Sequence, residues 1–193
     1  MAGQFILASA SPRREELLAQ IGIKPDKFVP ANINERANSG ESPRSFATRL
    51  AEAKGQIVAN VYRDDFVLAA DTVVACGHRI LDKPLNRSQA SAHLSLLSGR
   101  RHRVFSGVTL VSPCGAVSSL SVMTQVTFKR LHPSELNSYL ESGEWQDKAG
   151  GYAIQGRAGG FIKRINGSYS NVVGLPLYET MALLSGIVPK YKY

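Results

Sequence analysis

Cysteine is nearly missing from this sequence: Cys76 and Cys114 are the only two in 193 residues. Two thiols without metal-type spacing make neither a disulfide framework nor a zinc site, and a chain of this length needs neither to hold a core. A reducing compartment is expected. Long apolar runs are missing too. Nothing approaches the roughly 18 consecutive apolar residues of a membrane span, and the N-terminus shows no signal-peptide pattern. A cytoplasmic protein with no membrane partner is therefore expected. No internal repeat, low-complexity segment or Lys/Arg block is present. The formal charge is nevertheless +8. Charge alone leaves nucleic acid, an anionic membrane surface and a phosphorylated small molecule open. Basic residues scattered outside any recognised nucleic-acid motif argue against the first.

What is there begins at the N-terminus. Phe5 to Ala8 is a short apolar run, and Ser9, Ala10 and Ser11 let a backbone bend close to a ligand. Ser11 suits a helix cap and Pro12 the first helical position. Leu17, Leu18 and Ile21 then share a face, and Gly22 ends the helix. The first helical turn carries Arg13 and Arg14, against the macrodipole. Free N–H groups, two serine hydroxyls and two guanidinium forks together would hold a polyphosphate. A basic surface helix with an unoptimised first turn is the alternative.

Further along, a polar loop from Asn32 to Glu41 is longer than a minimal connection and contains Glu35. Ser42-Pro43 repeats the cap-then-proline signal for a helix to about Asn60, with Phe46, Leu50, Ala53 and Ile57 inward. Lys54 falls on that face, either as a snorkelling lysine or as a cation aimed into a cleft. Phe66 to Ala70 reads as a central strand that Asp71-Thr72 ends, with extended structure resuming at Val73. A carboxylate at the end of a buried strand is costly unless paired or metal-bound, and such ends are where α/β proteins place ligands. Asp71 is thus the leading candidate for a catalytic or metal-binding acid.

The pattern then predicts a hairpin over 77–84, which holds Lys83 extended before Pro84. A helix follows, capped by Asn86, with His93 on its surface. Arg101–Val111 and Val117–Arg130 read as an antiparallel pair, and Pro133 opens a short helix. The stretch 145–156 reads as a site-lining loop with a short strand near Tyr152–Ile154. Asn166-Gly167 reads as a type I′ hairpin turn returning through Val172 and Val173. A last helix starts at Pro176, and residues 189–193 form a frayed tail. The length suits one domain, or two lobes around one cleft.

Several blocks in this order resemble the Maf family: Leu7-Ala8-Ser9-x-Ser11-Pro12-Arg13-Arg14, Ala70-Asp71-Thr72-Val73, Lys83-Pro84, Leu97-Ser98-Gly99, Asp147–Gly156, Ile165–Tyr169 and Val173–Leu177. The resemblance spans nearly the whole chain, 1–193, as a single Maf-like domain. It implies an α/β fold with a long bent mixed sheet flanked by helices and two lobes around a central cleft, like the inosine triphosphate pyrophosphatases. It implies a nucleoside triphosphate pyrophosphatase that uses a divalent cation, Mg²⁺ or Mn²⁺, and releases a monophosphate and pyrophosphate. A homodimer is also implied.

One subgroup of the family prefers dTTP and UTP, and another hydrolyses 7-methyl-GTP. Arg13 matches the first, since the second typically has Trp there. Positions tied to that preference match Arg13, Thr72 and Gln155, and the general base matches Asp71. The resemblance assigns phosphate contacts to Ser9, Arg13, Arg14, Lys54 and Lys83, and metal contacts to Glu35 and Asp71. Asn34 departs from the family, standing where an acidic residue is frequent, which would weaken metal binding. Ser106 stands where Thr is usual. Two rival functions remain at this level: a non-catalytic nucleotide-binding regulator of septum formation in cell division, and a basic nucleic-acid-binding protein.

Overall fold

The computed structural model describes residues 3–191. Its strands are β1 (Phe5–Leu7), β2 (Lys27–Phe28), β3 (Phe66–Cys76), β4 (Arg79–Leu81), β5 (Arg101–Val111), β6 (Val117–Phe128) and β7 (Ile162–Asn166). Its α-helices are α1 (Pro12–Gln20), α2 (Pro43–Val61), α3 (Arg87–Leu97), α4 (Pro133–Glu141), α5 (Tyr169–Val173) and α6 (Leu177–Ile187). The strands form one mixed sheet ordered β2-β1-β3-β5-β6-β7, with β4 beside β3. The two contacts of β1 are parallel and the other pairings antiparallel. The expected mixed α/β class is the observed one.

Local chemistry accounts for the helix starts. The Ser42 hydroxyl accepts from Ser45 N at 3.1 Å, and Asn86 Oδ1 accepts from Gln89 N at 2.9 Å, each satisfying a donor that the first turn leaves free. Ser11 occupies the cap position of α1, but its hydroxyl makes no cap bond.

Helix α2 covers one face of the sheet. Its Phe46, Ala47, Leu50 and Val58 pack against Val67, Ala69, Val73, Ala75 and Phe105. The buried stripe lies slightly off the expected one, leaving Ile57 46% exposed. The other face carries the larger core, which gathers residues of α1, α3, α4 and α6 onto Leu68, Ala70, Val74 and Val108. Gly107 permits the close fit of α2. A Cβ there would sit 2.3 Å from the Ala47 carbonyl oxygen.

Strand β3 does not end at Asp71. It runs unbroken from Phe66 to Cys76, with Asp71 opposite Gly107 of β5. The interruption lies beside it instead. β1 pairs with Phe66, Val67 and Leu68 and then turns away, while β4 joins the same edge only at Val74. Among the described residues, β3 therefore has a strand on one side only from Ala69 to Val73. That opening lies beyond the carboxyl end of β1, the kind of place where α/β sheets receive ligands.

Other expectations are corrected as well. His93 is 6% exposed and not a surface residue; it sits one position from Leu94 on the packed side of α3. Tyr152–Ile154 is not a strand, because 3₁₀ turns at Ala149–Gly151 and Arg157–Phe161 flank it. Asn166-Gly167 does not close a hairpin. Gly167 lies at φ 126 against Thr124, and Ser168 then caps α5 by accepting from Asn171 N. Val172 and Val173 are helical. Of the tail expected to fray, Pro189–Tyr191 forms a 3₁₀ turn with the Tyr191 ring edge-on to Phe5, 5.4 Å between centroids. Lys192 and Tyr193 lie outside the described residues.

Candidate active site

The opening beside β3 widens into a cleft of about 750 Å³. Ser9, Arg13, Arg14, Glu35, Lys54, Asp71, Thr72, Lys83 and Gln155 all line it. Every residue singled out in the sequence for a site is thus brought to one cavity.

Asp71 faces α2. Its Oδ1 accepts from Lys54 Nζ at 2.5 Å, and the same ammonium lies 2.5 Å from Glu35 Oε1. Lys54 and Asp71 are 8% and 7% exposed, so each compensates the other's burial. Lys54 lies in the buried stripe of α2 and lines the cleft. Glu35 comes from the long loop. Arg49 ties that loop down, bonding both carboxylate oxygens of Glu41 and the Arg36 carbonyl. Lys83 Nζ stands 3.5 Å from Glu35 Oε2. Burial pushes the Glu35 carboxyl up, but the hydrogen bond and charge of Lys54, with Lys83 behind them, hold it below the ordinary range.

Thr72 points to the opposite face. Its Oγ1 lies 3.0 Å from Ser106 Oγ, donates to the Gly174 carbonyl at 3.3 Å and accepts from Arg14 Nη2 at 3.4 Å. Arg14 is held at three points, since its Nε donates to Gly174 O at 2.9 Å and its Nη1 to Ser9 Oγ at 3.0 Å. Burial lowers its pKa, opposed by the charge of Asp71, yet guanidinium stays protonated. Among the described residues Arg13 has no such fork of partners. Burial lowers it as well, and Asp147 and Glu16 oppose the shift. The two arginines therefore differ: one is fixed by the fold, the other is open to a ligand. Ser9 Oγ also accepts from Ser11 N at 3.1 Å, so the turn is fixed before any ligand arrives.

The far wall is the 145–156 loop. Gln155 is exposed on it, with no hydrogen bond among the described residues. The loop is anchored from behind. Tyr139 Oη accepts from Ala153 N at 3.1 Å, Tyr152 Oη lies 2.8 Å from His102 Nε2, and Gly150 N donates to Asp82 O at 3.2 Å. Burial pushes Tyr139 up to about 12 and Tyr152 higher, and pulls His102 down to about 4.

Sequence reasoning missed Asp147, Lys148, Tyr152 and the Gly174 carbonyl. The sequence marks the loop as site-lining, but nothing in it separates Asp147 from other loop acids. Among the described residues it is the one non-glycine with positive φ, at 56. A backbone carbonyl such as that of Gly174 leaves no side-chain signal at all. Asn34 turns its side chain away to a local task, accepting from Arg36 N at 3.1 Å.

Among the described residues no three His, Cys, Asp or Glu side chains converge into a metal cage. Glu35 and Asp71 do converge on one point, where a cation, the Lys54 ammonium, already sits. Two carboxylates of this kind fit an ion such as Mg²⁺ that completes its shell with phosphate and water oxygens.

Comparison with known proteins gives this geometry a context. A dTTP/UTP pyrophosphatase of Caulobacter vibrioides is 54% identical over 95% of each chain. One from Paramagnetospirillum magneticum is 55% identical over 94% of this chain and 96% of the other. A solved nucleoside-triphosphatase / dITP/XTP pyrophosphatase from Mycobacterium abscessus matches 66% of this chain and 73% of its own at 18% identity and a TM-score of 0.40, too slight a likeness to bear on the argument. No helix among the described residues is long and apolar enough to cross a membrane. The family profile described as Maf-like protein matches residues 4–187, and with motifs, cleft and relatives in agreement the chain belongs to the Maf family.

Proposed function

We propose that this protein hydrolyses dTTP and UTP, and modified pyrimidine nucleotides of the same shape, to the monophosphate and pyrophosphate. The dTTP/UTP pyrophosphatases it resembles support this reading. The observation that carries it is the meeting of Asp71 and Glu35 at one cation-binding point, in the same cleft as Arg13, Arg14 and the start of α1. A phosphate chain and an in-line water need such opposed sets of charges.

Asp71 is the general base. Its Oδ2, the oxygen that Lys54 does not bond, faces the water that attacks the α-phosphorus. The water's proton passes to Asp71, the new bond forms at phosphorus and the anhydride bond to pyrophosphate breaks. Arg13, Arg14, Lys54 and Lys83 neutralise the phosphates, helped by the Ser9 hydroxyl and the α1 N–H groups. Glu35 and Asp71 would hold a divalent cation, Mg²⁺ or Mn²⁺, which would screen phosphate charge and acidify water. Gln155 reads the base, since its amide offers both a donor and an acceptor for a carbonyl and the N3–H of thymine or uracil. One methyl separates those bases, worth only ~1–3 kcal/mol in a pocket, so both are accepted. Arg13 and Thr72 complete the specificity set, Thr72 through its hold on Arg14. The working form is a cytoplasmic homodimer of single two-lobed domains, with no nucleic-acid or membrane partner.

Pyrophosphate release from dTTP, UTP, CTP, dATP, GTP and 7-methyl-GTP, with Mg²⁺ or Mn²⁺, tests the proposal. Preference for dTTP and UTP is expected. Turnover of 7-methyl-GTP alone would overturn the substrate, and no release from any nucleotide would favour the non-catalytic regulator. Gln155→Ala should erode discrimination among bases more than turnover; equal losses on every nucleotide would remove its reading role.

A further inference from the structure

The Lys54 ammonium stands where a divalent ion would be held. It touches Glu35 Oε1 and Asp71 Oδ1 at 2.5 Å each, and these are the two carboxylates that converge in the cleft. A lysine ammonium has three donors, so two are taken and one is left for a third partner. The stem is packed in the α2 stripe, which keeps the charge within reach of the same cavity. A second cation, Lys83 at 3.5 Å from Glu35 Oε2, stays on the rim.

We propose that Lys54 is a resident counter-cation that yields the Glu35–Asp71 pair to the divalent ion only when a triphosphate enters. This deepens the function proposed above and rests on it. Without nucleotide, an incoming ion must displace an ammonium bonded to both carboxylates, so the free enzyme binds metal weakly. An arriving phosphate meets the third donor of Lys54, draws the ammonium off the carboxylates and frees both for the ion. Lys54 thereby changes partners from carboxylate to phosphate. The consequence is an order of assembly: metal enters with the nucleotide and not before it. The protein also avoids leaving the buried Asp71 carboxylate unpaired between turnovers, a state that would cost stability.

Lys54→Met tests this through binding of Mn²⁺ alone, measured by electron paramagnetic resonance of the free ion without nucleotide. The variant should bind Mn²⁺ at least tenfold more tightly than the wild type, and Mn²⁺ should raise its melting temperature more. Equal or weaker binding would overturn the proposal. Should Lys54→Met fail to fold, the wild type still decides. The Lys54 ammonium resonance in a ¹⁵N-lysine-labelled sample should move when Mg²⁺ and an α,β-non-hydrolysable dTTP analogue are added together, and stay in place with Mg²⁺ alone. A resonance that moves with Mg²⁺ alone, or with neither, refutes the exchange. Turnover of dTTP by the wild type is followed in parallel. Its absence would remove the pyrophosphatase reading and leave the Mn²⁺ comparison standing by itself.

Discussion

Asp71 and Thr72 are neighbours on one strand, yet they belong to two different chemistries. Asp71 looks toward α2, where a lysine from the helix and a glutamate from the long loop make a charged cluster. Thr72 looks toward the larger core, where hydroxyls and carbonyls hold Arg14 in a fixed fork. The covering element decides the difference. A single helix at the edge of a cleft can bring a flexible ammonium to a buried carboxylate. A face packed by many elements admits charge where each nitrogen finds a partner, as for Arg14, and elsewhere keeps it out. His102 on β5, 2% exposed on that same face, is held neutral down to about pH 4 by its burial.

The largest test of this contrast is Asp71→Asn. Turnover should fall by roughly 10²–10⁴ while nucleotide binding, measured by titration calorimetry, stays near the wild-type value; near-normal turnover at saturating metal would take the base role from Asp71. Acid comes next. The unfolded state takes up a His102 proton below about 6.5, the folded state only near about 4. Stability is thus unaffected above about 6.5 and lost as the pH falls toward 4, by up to roughly 3 kcal/mol. Glu35 adds a second loss at lower pH, since its depressed pKa contributes stability that vanishes as pH falls through the folded value. Urea unfolding from pH 7 to well below pH 4 should show both. His102→Gln should flatten only the upper limb, and an unchanged slope there would mean that burial of His102 is not the cause.

Gly107→Ala probes the α2 side by packing alone. With a Cβ placed 2.3 Å from the Ala47 carbonyl oxygen, α2 must lift, at a cost of about 1–3 kcal/mol. Lys54 should be carried away from Asp71 with it, so turnover should drop along with melting temperature; lowered stability with full activity would separate the two. Smallest is Thr72→Val, which removes one support of Arg14. A loss of about 1 kcal/mol is expected, seen as a raised KM with kcat little changed. A fall confined to kcat would place Thr72 nearer the reacting atoms than Arg14 does.

Much of this was legible in the chain. The helix starts at Pro12 and Pro43 follow from short-range cap chemistry, and α2 carries Lys54 inward because of its position four residues past Leu50. The mid-strand location of Asp71 was not legible. A carboxylate inside a buried strand reads as a break because its burial is costly, and the lysine that offsets the cost lies 17 residues earlier. At Asn166-Gly167 two local signals competed. The hairpin dipeptide lost to the Ser168 cap, because Gly167 is pressed against Thr124 of β6. The locked state of Arg14 was invisible for a similar reason, resting on a carbonyl 160 residues away.

The one-sided stretch of β3 also gives the cleft its own reporter. Leu68 turns its carbonyl to Ala8 N, away from β5, so in an antiparallel ladder Ala70 and Thr72 turn the same way. Their amides face the opening, while those of Ala69 and Asp71 face β5. Amide hydrogen exchange in this strand should therefore alternate residue by residue, fast at Ala70 and Thr72 and slow between them, and a bound nucleotide should erase the alternation by standing in for the strand that is missing there.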